Sequence, residues 1–170
     1  MTGAGGRAVV EARRARILTV SDGVVAGSRP DRSGPALAER LAAEGWEVDL
    51  QRAVADGREA VANALSELTR DFAGLVVTTG GTGLGPRDLT PEGTRDVLDR
   101  EAPGLAEAMR LANPALGRLS RGLAGTAGRC LVLNTPGSPS GALESLEAVL
   151  DVLDHAVSLA GGDAASPHPS

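Results

Sequence analysis

The sequence lacks lysine and tyrosine altogether, and it contains one cysteine, one tryptophan and one phenylalanine. Without lysine, the chain can form no Schiff base, no Ser-Lys dyad and no lysine-containing phosphate loop. The scarcity of aromatic rings disfavours stacking against single-stranded nucleic acid. Because Cys130 is alone, the chain can form neither an internal disulfide nor a cysteine zinc site. These absences exclude several classes of site and favour a protein of the reducing cytoplasm.

The charge balance is acidic, with a formal net charge of −5 at pH 7, which argues against a general polyanion-binding surface. We therefore expect no nucleic-acid partner, and any anion site must be local. His155 and His168 are too few for a histidine metal cluster. Asp22 follows Arg13 and Arg14 before any apolar stretch of the length that a signal sequence needs, and no stretch approaches a transmembrane span. We expect no membrane association.

The apolar patterns predict one domain over residues 15–160, whereas 1–14 and 161–170 have no such pattern and are expected to be flexible termini. Apolar or alternating runs predict strands, and amphipathic stretches predict helices. The predicted strands are 15–21, 46–54, 74–80 and 129–134, and the predicted helices are 33–45, 56–72, 90–101, 103–113 and 138–159. This alternation predicts an α/β fold in three layers, an α/β/α sandwich with a mostly parallel sheet in the middle.

Three of the predicted helices begin with capping signals. Ser33 stands at the expected N-cap of the first helix. Asp56 and Glu59 have the spacing of a capping box at the start of the second. Thr90 and Pro91 suit the N-cap and the first helical position of the third.

Four stretches fit neither the strand pattern nor the helix pattern, and each of them follows a predicted strand. They are SDGVVAGSRPDRSG (21–34), VADG (54–57), TGGTGLGPRD (79–88) and NTPGSPSG (134–141). Ligands of open parallel sheets bind outside the carboxyl ends of the strands. We therefore expect these loops to converge on one edge of the sheet and to form the functional site there.

The segment TTGGTGLGPRDLTPE at 78–92 is the most unusual of these stretches, because four glycines fall within six residues. Successive glycines let backbone N–H groups turn toward an anion and let its oxygens approach closely. The loop is not a dinucleotide fingerprint, since Pro86 stands where the third glycine would be. The alternative interpretation is a tight turn that leaves the sheet.

Charged residues beside the glycines point to phosphate chemistry. Arg87 suits bidentate phosphate contacts, and Asp88 can hold a magnesium ion that bridges phosphate oxygens. The alternative is a solvated ion pair ahead of a helix. Asp56 lies at the same edge, although an aspartate at a helix start is often only a cap. Two acids, an arginine and a glycine loop together predict a phosphoryl or nucleotidyl transfer site.

Other polar residues have open interpretations. Ser138 could cap the last helix or contact a ligand at its N-terminus. Arg121 could join the site or be a lone surface arginine, and residues 21–23 could cap a turn or line the pocket. Cys130 is expected to be a buried core thiol and His155 a structural helix residue.

At these motifs the chain resembles the MogA/MoaB family of molybdenum cofactor biosynthesis proteins, whose relatives include the G and E domains of gephyrin. The matching stretches are TVSDG (19–23), DRSG (31–34), VADG (54–57), TTGGTG with RDLTPE (78–92), LSRG (119–122) and NTPGSPSG (134–141). TTGGTG followed by RD-x-TPE is highly specific. The resemblance extends over nearly all of residues 15–160.

The resemblance implies a MogA/MoaB-like molybdopterin-binding fold, commonly trimeric, that uses Mg²⁺ and ATP to adenylylate molybdopterin. In this reaction the terminal phosphate of molybdopterin attacks the α-phosphorus of ATP and pyrophosphate leaves. The adenylylated pterin then goes to a molybdate-insertion enzyme. A second interpretation is a MoaB-like protein that binds or carries the pterin and performs no chemistry.

The family's functional residues fall on matching positions of this chain. Its two important aspartates correspond to Asp56 and Asp88, which would hold magnesium and position the reactants. The phosphate and pterin contacts would come from Gly80, Gly81, Thr82, Gly83, Arg87, Gly137 and Ser138. Thr135 departs from the family pattern, which usually has leucine there, and could alter that wall of the pocket.

Overall fold

A computed structural model describes residues 13–162, in which a six-stranded sheet has the order β2-β1-β3-β6-β5-β4. Residues 1–12 and 163–170, including His168 and most of the predicted flexible termini, lie outside the described part. The strands are β1 Arg14–Val20, β2 Glu47–Val54, β3 Ala73–Thr79, β4 Arg100–Glu101, β5 Ala124–Ala127 and β6 Arg129–Thr135. The helices are α1 Asp22–Val25, α2 Ser33–Ala43, α3 Arg58–Thr69, α4 Thr90–Arg95, α5 Pro103–Leu111, α6 Pro139–Glu147 and α7 Leu150–Ala160, with a 3₁₀ turn at Gly117–Leu119.

The parallel part of the sheet brings the strand ends to one level. β1, β2, β3 and β6 run parallel, and the pairing places Thr19 beside Thr79 and Thr79 beside Thr135. Val20 pairs with Val54 at the end of β2. Since the four strands end together, the loops that follow them leave from the same edge of the sheet.

Both faces of the sheet are covered, so the predicted three-layer α/β/α arrangement is confirmed. On one face α2, α5, α6 and α7 pack against alternate side chains of the strands, among them Ile17, Val77 and Leu133. On the other face α3 packs through Val61, Leu65 and Leu68, and α4 lies against α3. Within residues 13–162, no helix is long and apolar enough to cross a bilayer.

Two sequence predictions about helix lengths are wrong. The segment predicted as one helix over 90–101 ends at Arg95, and Arg100–Glu101 forms the edge strand β4, antiparallel to β5. The helix predicted over 138–159 is divided at Val149, which is almost fully buried. No glycine or proline marks this division. The two parts pack on different partners, since α6 contacts α2 and α7 lies across β3 and β6.

The predicted N-caps of the first three helices are also corrected. Ser33 is the first helical residue, and the carboxylate of Asp31 accepts the N–H of Gly34 at 3.0 Å in its place. α3 begins after Gly57 without a side-chain cap, so Asp56 does not cap it. Thr90 lies inside α4, where its hydroxyl donates to the carbonyl of Gly80 at 2.9 Å. The side chains of Asp56 and Thr90 are therefore engaged in tertiary contacts and not in capping.

Cys130 is the buried core thiol that the sequence predicts. Its Sγ donates to the carbonyl of Phe72 at 3.0 Å, and burial raises the pKa of the thiol to about 11. Because the thiolate is the reactive form, we expect the folded protein to react with Ellman's reagent near neutral pH about 100-fold more slowly than the urea-unfolded chain. Absorbance of the released thiolate measures both rates. Equal rates would contradict the buried environment.

Candidate functional site

Two adjoining pockets lie at the edge where the parallel strands end. The strand-end pocket, of about 610 Å³, lies among the loops that follow β1, β2, β3 and β6. The α5–α6 pocket, of about 430 Å³, lies between those helices and the 3₁₀ turn. The residues that line both pockets are Gly81, Asp88, Gly137 and Ser138. The predicted convergence of the loops is confirmed, and the glycine loop forms part of the boundary between two cavities.

Backbone contacts explain the glycines at the end of β3. Gly80 has φ +100°, and a Cβ there would lie 2.2 Å from the carbonyl oxygen of Val20. Gly81 has φ +67°, and a Cβ would lie 2.3 Å from the hydroxyl of Thr90. Gly137 also approaches this point, since its Cβ would lie 3.3 Å from the Cα of Gly80. The chain passes through here with no space for side chains.

The side chain of Asp88 folds back on the glycine loop and binds its backbone at Gly85. Its Oδ2 accepts the N–H of Gly85 at 2.9 Å, so the carboxylate turns back over the loop. The side chain is half-buried and lines both pockets. Within residues 13–162, no hydrogen bond reaches its Oδ1. One carboxylate oxygen therefore fixes the loop, and the other accepts no hydrogen bond from the described residues.

Asp56 is held by a reciprocal contact with Asp22. The N–H of Asp22 donates to Oδ2 of Asp56 at 2.9 Å, and the N–H of Asp56 donates to Oδ1 of Asp22 at 3.1 Å. These two bonds join the loops after β1 and β2. Sequence reasoning treated residues 21–23 only as a cap or lining, and both apply, because Ser21 caps α1 and lines the strand-end pocket.

Arg87 forms the ion pair that was the alternative interpretation, but its partner is Asp22. Its Nε and Nη2 donate to the two carboxylate oxygens of Asp22 at 2.6 and 3.0 Å. The guanidinium lowers the pKa of the Asp22 carboxyl below its ordinary value. The Arg87 side chain is 65% exposed and lines neither pocket. Its Nη2 also donates to the backbone carbonyl of Asp56 at 3.1 Å, so from the rim it contacts the loops that carry Asp22 and Asp56.

Arg121 is not the lone surface arginine of the alternative interpretation. Its Nε donates to the carbonyl of Gly83 at 2.8 Å, and its Nη2 donates to the carbonyl of Asp88. Glu92 accepts from the same guanidinium, and this contact lowers the pKa of the Glu92 carboxyl. The contacts join the segment before β5 to the glycine loop. Sequence spacing could not indicate them, because the partners lie far apart in the chain.

Ser138 and Thr135 are close in sequence at the end of β6, but only Ser138 lines the pockets. The hydroxyl of Ser138 accepts the N–H of Gly141 at 3.1 Å, so Ser138 caps α6, and it also lines both pockets. Thr135 is fully buried and donates to the carbonyl of Thr78 at 2.9 Å. It lines neither pocket, so the interpretation that it alters the pocket wall is wrong.

The strand-end pocket has the donor set of a magnesium and phosphate site. Asp56 and Asp88 both line it, and no group of three or more candidate metal ligands occurs within residues 13–162. Magnesium commonly binds one or two carboxylates and completes its shell with water and phosphate oxygens. Arg29 and Arg32, which sequence analysis did not single out, add positive charge to the same wall. The residues present therefore fit a magnesium ion that is shared with a phosphate ligand.

The α5–α6 pocket combines an apolar wall with one acid. Met109 and Leu116 line it beside Glu144. The side chain of Asn113 donates to Oε2 of Glu144 at 3.1 Å, and its Oδ1 accepts the N–H of Leu116. Glu144 is half-buried and fixed by this contact. It lies in the segment predicted as one long helix over 138–159, and the sequence gave no signal there for a role in the site.

Comparison with known proteins places these features in a family. The family profile described as "Probable molybdopterin binding domain" matches residues 16–155. The molybdopterin adenylyltransferase of Helicobacter pylori strain J99 is 36% identical, over 86% of this chain and 87% of that protein. The molybdenum cofactor synthesis protein cinnamon of Drosophila melanogaster is also 36% identical, but this chain covers only 25% of its length.

The solved structures agree with the sequence relatives. The crystal structure of the molybdopterin biosynthesis enzyme MoaB of Thermus thermophilus has a TM-score of 0.84 and 50% sequence identity. The match covers 89% of this chain and 98% of that chain. Both the fold and its use in molybdenum cofactor proteins are therefore shared with proteins of similar length.

Proposed function

This chain belongs to the MogA/MoaB family of molybdenum cofactor biosynthesis proteins, and we propose that it is a molybdopterin adenylyltransferase. It transfers AMP from ATP to the terminal phosphate of molybdopterin with the help of Mg²⁺ and releases pyrophosphate. The observation that carries the proposal is the wall of Gly81, Asp88, Gly137 and Ser138 that the two pockets share. Two substrates that occupy one pocket each would bring their phosphates together at this wall.

The strand-end pocket suits the nucleotide phosphates. Arg29 and Arg32 supply positive charge, and Asp56 and Asp88 would hold the magnesium ion. When bound, magnesium would neutralise phosphate charge that develops during transfer. The backbone of the glycine loop would face the phosphates from both pockets, through Gly80 and Gly81 in the strand-end pocket and through Gly81, Thr82 and Gly83 in the α5–α6 pocket. Arg87 would neutralise phosphate charge from the rim, where it pairs with Asp22 and donates to the carbonyl of Asp56.

The transfer itself needs no covalent intermediate on the protein. An oxygen of the molybdopterin phosphate attacks the α-phosphorus of ATP, the bond from that phosphorus to the bridging oxygen breaks, and pyrophosphate carries away the electron pair. Positioning and charge neutralisation supply most of the rate enhancement in such reactions. The rigid glycine loop, fixed by Thr90, Arg121 and Asp88, suits that role.

The α5–α6 pocket suits the pterin. The pyrimidine edge of a pterin presents an amino group and a ring N–H side by side, and a carboxylate accepts both. Glu144 lies in this pocket with Asn113 fixing one oxygen, and Met109 offers an apolar surface to the ring. Gly137 and Ser138 would lie at the phosphate end of the same ligand.

Replacing Glu144 with glutamine is expected to raise the KM for molybdopterin about 10- to 100-fold, because a charge-assisted pair of hydrogen bonds is lost. The KM for ATP should change little. Steady-state kinetics with each substrate varied in turn measures both constants. Glu147→Gln is the control, since Glu147 lies on the same helix, is exposed and pairs with Arg40. An equal rise in both KM values would argue against a pterin contact.

We also propose that the protein is a cytoplasmic homotrimer that passes the adenylylated pterin to a molybdate-insertion enzyme. The family resemblance supports both statements. Exposed leucines supply apolar surface for a neighbouring subunit: Leu116 and Leu119 line the α5–α6 pocket, Leu84 lies in the glycine loop and Leu111 ends α5.

The proposed function is tested by pyrophosphate release from purified protein supplied with ATP, MgCl₂ and molybdopterin. We expect pyrophosphate only when all three are present, in amounts that match the adenylylated pterin. Calorimetry with molybdopterin alone should be run beside it. Tight pterin binding without pyrophosphate, under conditions in which the Helicobacter pylori relative turns over, would favour the pterin-binding and carrier alternative.

A further inference from the structure

We propose that Arg121 is a positioning residue that holds the glycine loop and Asp88 in their working geometry, and that Glu92 acts only through Arg121. The inference rests on the proposed function, because it assigns a residue to the same reaction. It differs from a role in binding, since Arg121 reaches the substrates only through the loop that it holds.

Arg121 contacts the loop at both of its ends. Its backbone N–H donates to the carbonyl of Thr82 at 2.8 Å, and its Nε donates to the carbonyl of Gly83 at 2.8 Å. Its Nη2 donates to the carbonyl of Asp88, where the loop ends. The planar guanidinium therefore ties the carbonyl of Gly83 to that of Asp88, and the backbone of the same residue holds the carbonyl of Thr82. The Asp88 carboxylate and the Gly83 N–H are positioned by the same contacts.

The guanidinium has almost no donors left for an anion. Of the five N–H donors of an arginine side chain, four are directed at Gly83, Asp88 and the two carboxylate oxygens of Glu92, the longest contact being 3.4 Å. Arg121 also lines neither pocket. A phosphate ligand would have to displace a protein partner. The geometry therefore points to support of the loop and not to contact with the substrate.

Glu92 sets the orientation of the guanidinium. It lies in the first turn of α4, and its carboxylate accepts from Nη1 and Nη2 while the loop carbonyls accept from Nε and Nη2. A lysine in place of Arg121 would keep the charge, but its single ammonium group cannot reach two carbonyls and a carboxylate with fixed geometry. Misplacement of a catalytic group by about 1 Å can lower a rate by roughly 100-fold.

The proposal is tested with Arg121→Ala, Arg121→Lys and Glu92→Gln. We expect kcat to fall about 100-fold in both Arg121 variants, and the Mg²⁺ concentration for half-maximal activity to rise, while both substrate KM values change less than about threefold. Glu92→Gln should lower kcat less. In the double variant, Glu92→Gln should lower kcat no further than Arg121→Ala alone, because no guanidinium is left for Glu92 to orient. Millimolar guanidinium ion should restore part of the activity of Arg121→Ala.

Arg58→Ala is the matched control, because Arg58 also pairs with an acid at α4, the exposed Asp96, but does not touch the loop. It should leave kcat and the Mg²⁺ requirement unchanged. Full activity in Arg121→Lys would overturn the proposal. A rise in the KM for one substrate with kcat unchanged would overturn it too, since Arg121 would then be a ligand contact. If the Arg121 variants lose activity only to the extent that their thermal midpoints fall, Arg121 has a general structural role, and this result would also overturn the proposal.

Amide hydrogen exchange separates this inference from the proposed function. In Arg121→Ala, protection of the Gly85 and Asp88 amides, which donate within the glycine loop, should fall, whereas protection of β1, β3 and β6 should not, and Arg58→Ala should change neither. This readout needs no turnover. If the wild-type protein makes no adenylylated pterin, the proposed function fails. If the loop keeps its protection without Arg121, the positioning role fails independently.

Discussion

Replacing Asp88 with asparagine is expected to lower kcat by about 100- to 1000-fold with little change in the thermal midpoint. The substitution removes the negative charge that we assign to magnesium and to reactant positioning. An asparagine carbonyl can still accept the N–H of Gly85, so the turn over the glycine loop keeps its hydrogen bond. Turnover and thermal unfolding of the same preparation measure the two effects separately.

Asp96→Asn is the control for Asp88→Asn, because it changes the net charge equally at an exposed carboxylate that pairs only with Arg58 among the described residues. It should retain wild-type activity. Near-wild-type turnover in Asp88→Asn would show that Asp88 is not a catalytic residue. A large loss of turnover in Asp96→Asn would show that the net charge of the protein, and not the site, controls the rate.

Replacing Gly80 with alanine is expected to reduce the free energy of unfolding by about 3 kcal/mol or more. Gly80 has φ +100°, and its Cβ would lie 2.2 Å from the carbonyl oxygen of Val20. Val20 cannot move aside easily, since β1 lies between β2 and β3 in the sheet. Urea unfolding followed by circular dichroism gives the free energy.

Gly27→Ala separates backbone strain from the steric contact at Gly80. Gly27 has φ +75°, but a Cβ there would meet nothing within 4 Å. Its replacement should cost about 1 kcal/mol, the strain of a left-handed residue alone. Equal losses in the two variants would show that the close approach to Val20 contributes nothing, contrary to the packing described here.

The sequence predicted the parallel strands well, β1, β3 and β6 because their apolar runs are buried on both faces and the edge strand β2 because its residues alternate. It missed β5, whose residues Ala124–Ala127 are small and carry no alternating pattern. It also missed the division of the last helix at Val149, which has no local breaker and reflects packing on different partners. Local patterns thus predicted the elements whose own residues show a clear periodicity. They failed where tertiary contacts determine whether a strand forms or where a helix ends.

The same limit applies to the candidate site. The edge of the sheet and the positions of Asp56 and Asp88 followed from the rule for parallel strand ends, and the structure places both acids in one pocket. The rule could not identify the roles of Arg121 and Glu144, because their contacts join segments that are distant in the chain. Local spacing also gave Asp56 a capping role, whereas Asp56 is bound to Asp22.

The most direct test of adenylyl transfer follows the α-phosphorus of ATP. Purified protein is incubated with ATP labelled at that phosphorus, MgCl₂ and molybdopterin, and the products are separated by chromatography. The account predicts that the label appears in the pterin product, that unlabelled pyrophosphate forms in equal amount, and that Asp56→Asn and Asp88→Asn form both products at least about 100-fold more slowly. Label found only in free AMP, or only in unreacted ATP while the pterin is bound, would contradict it.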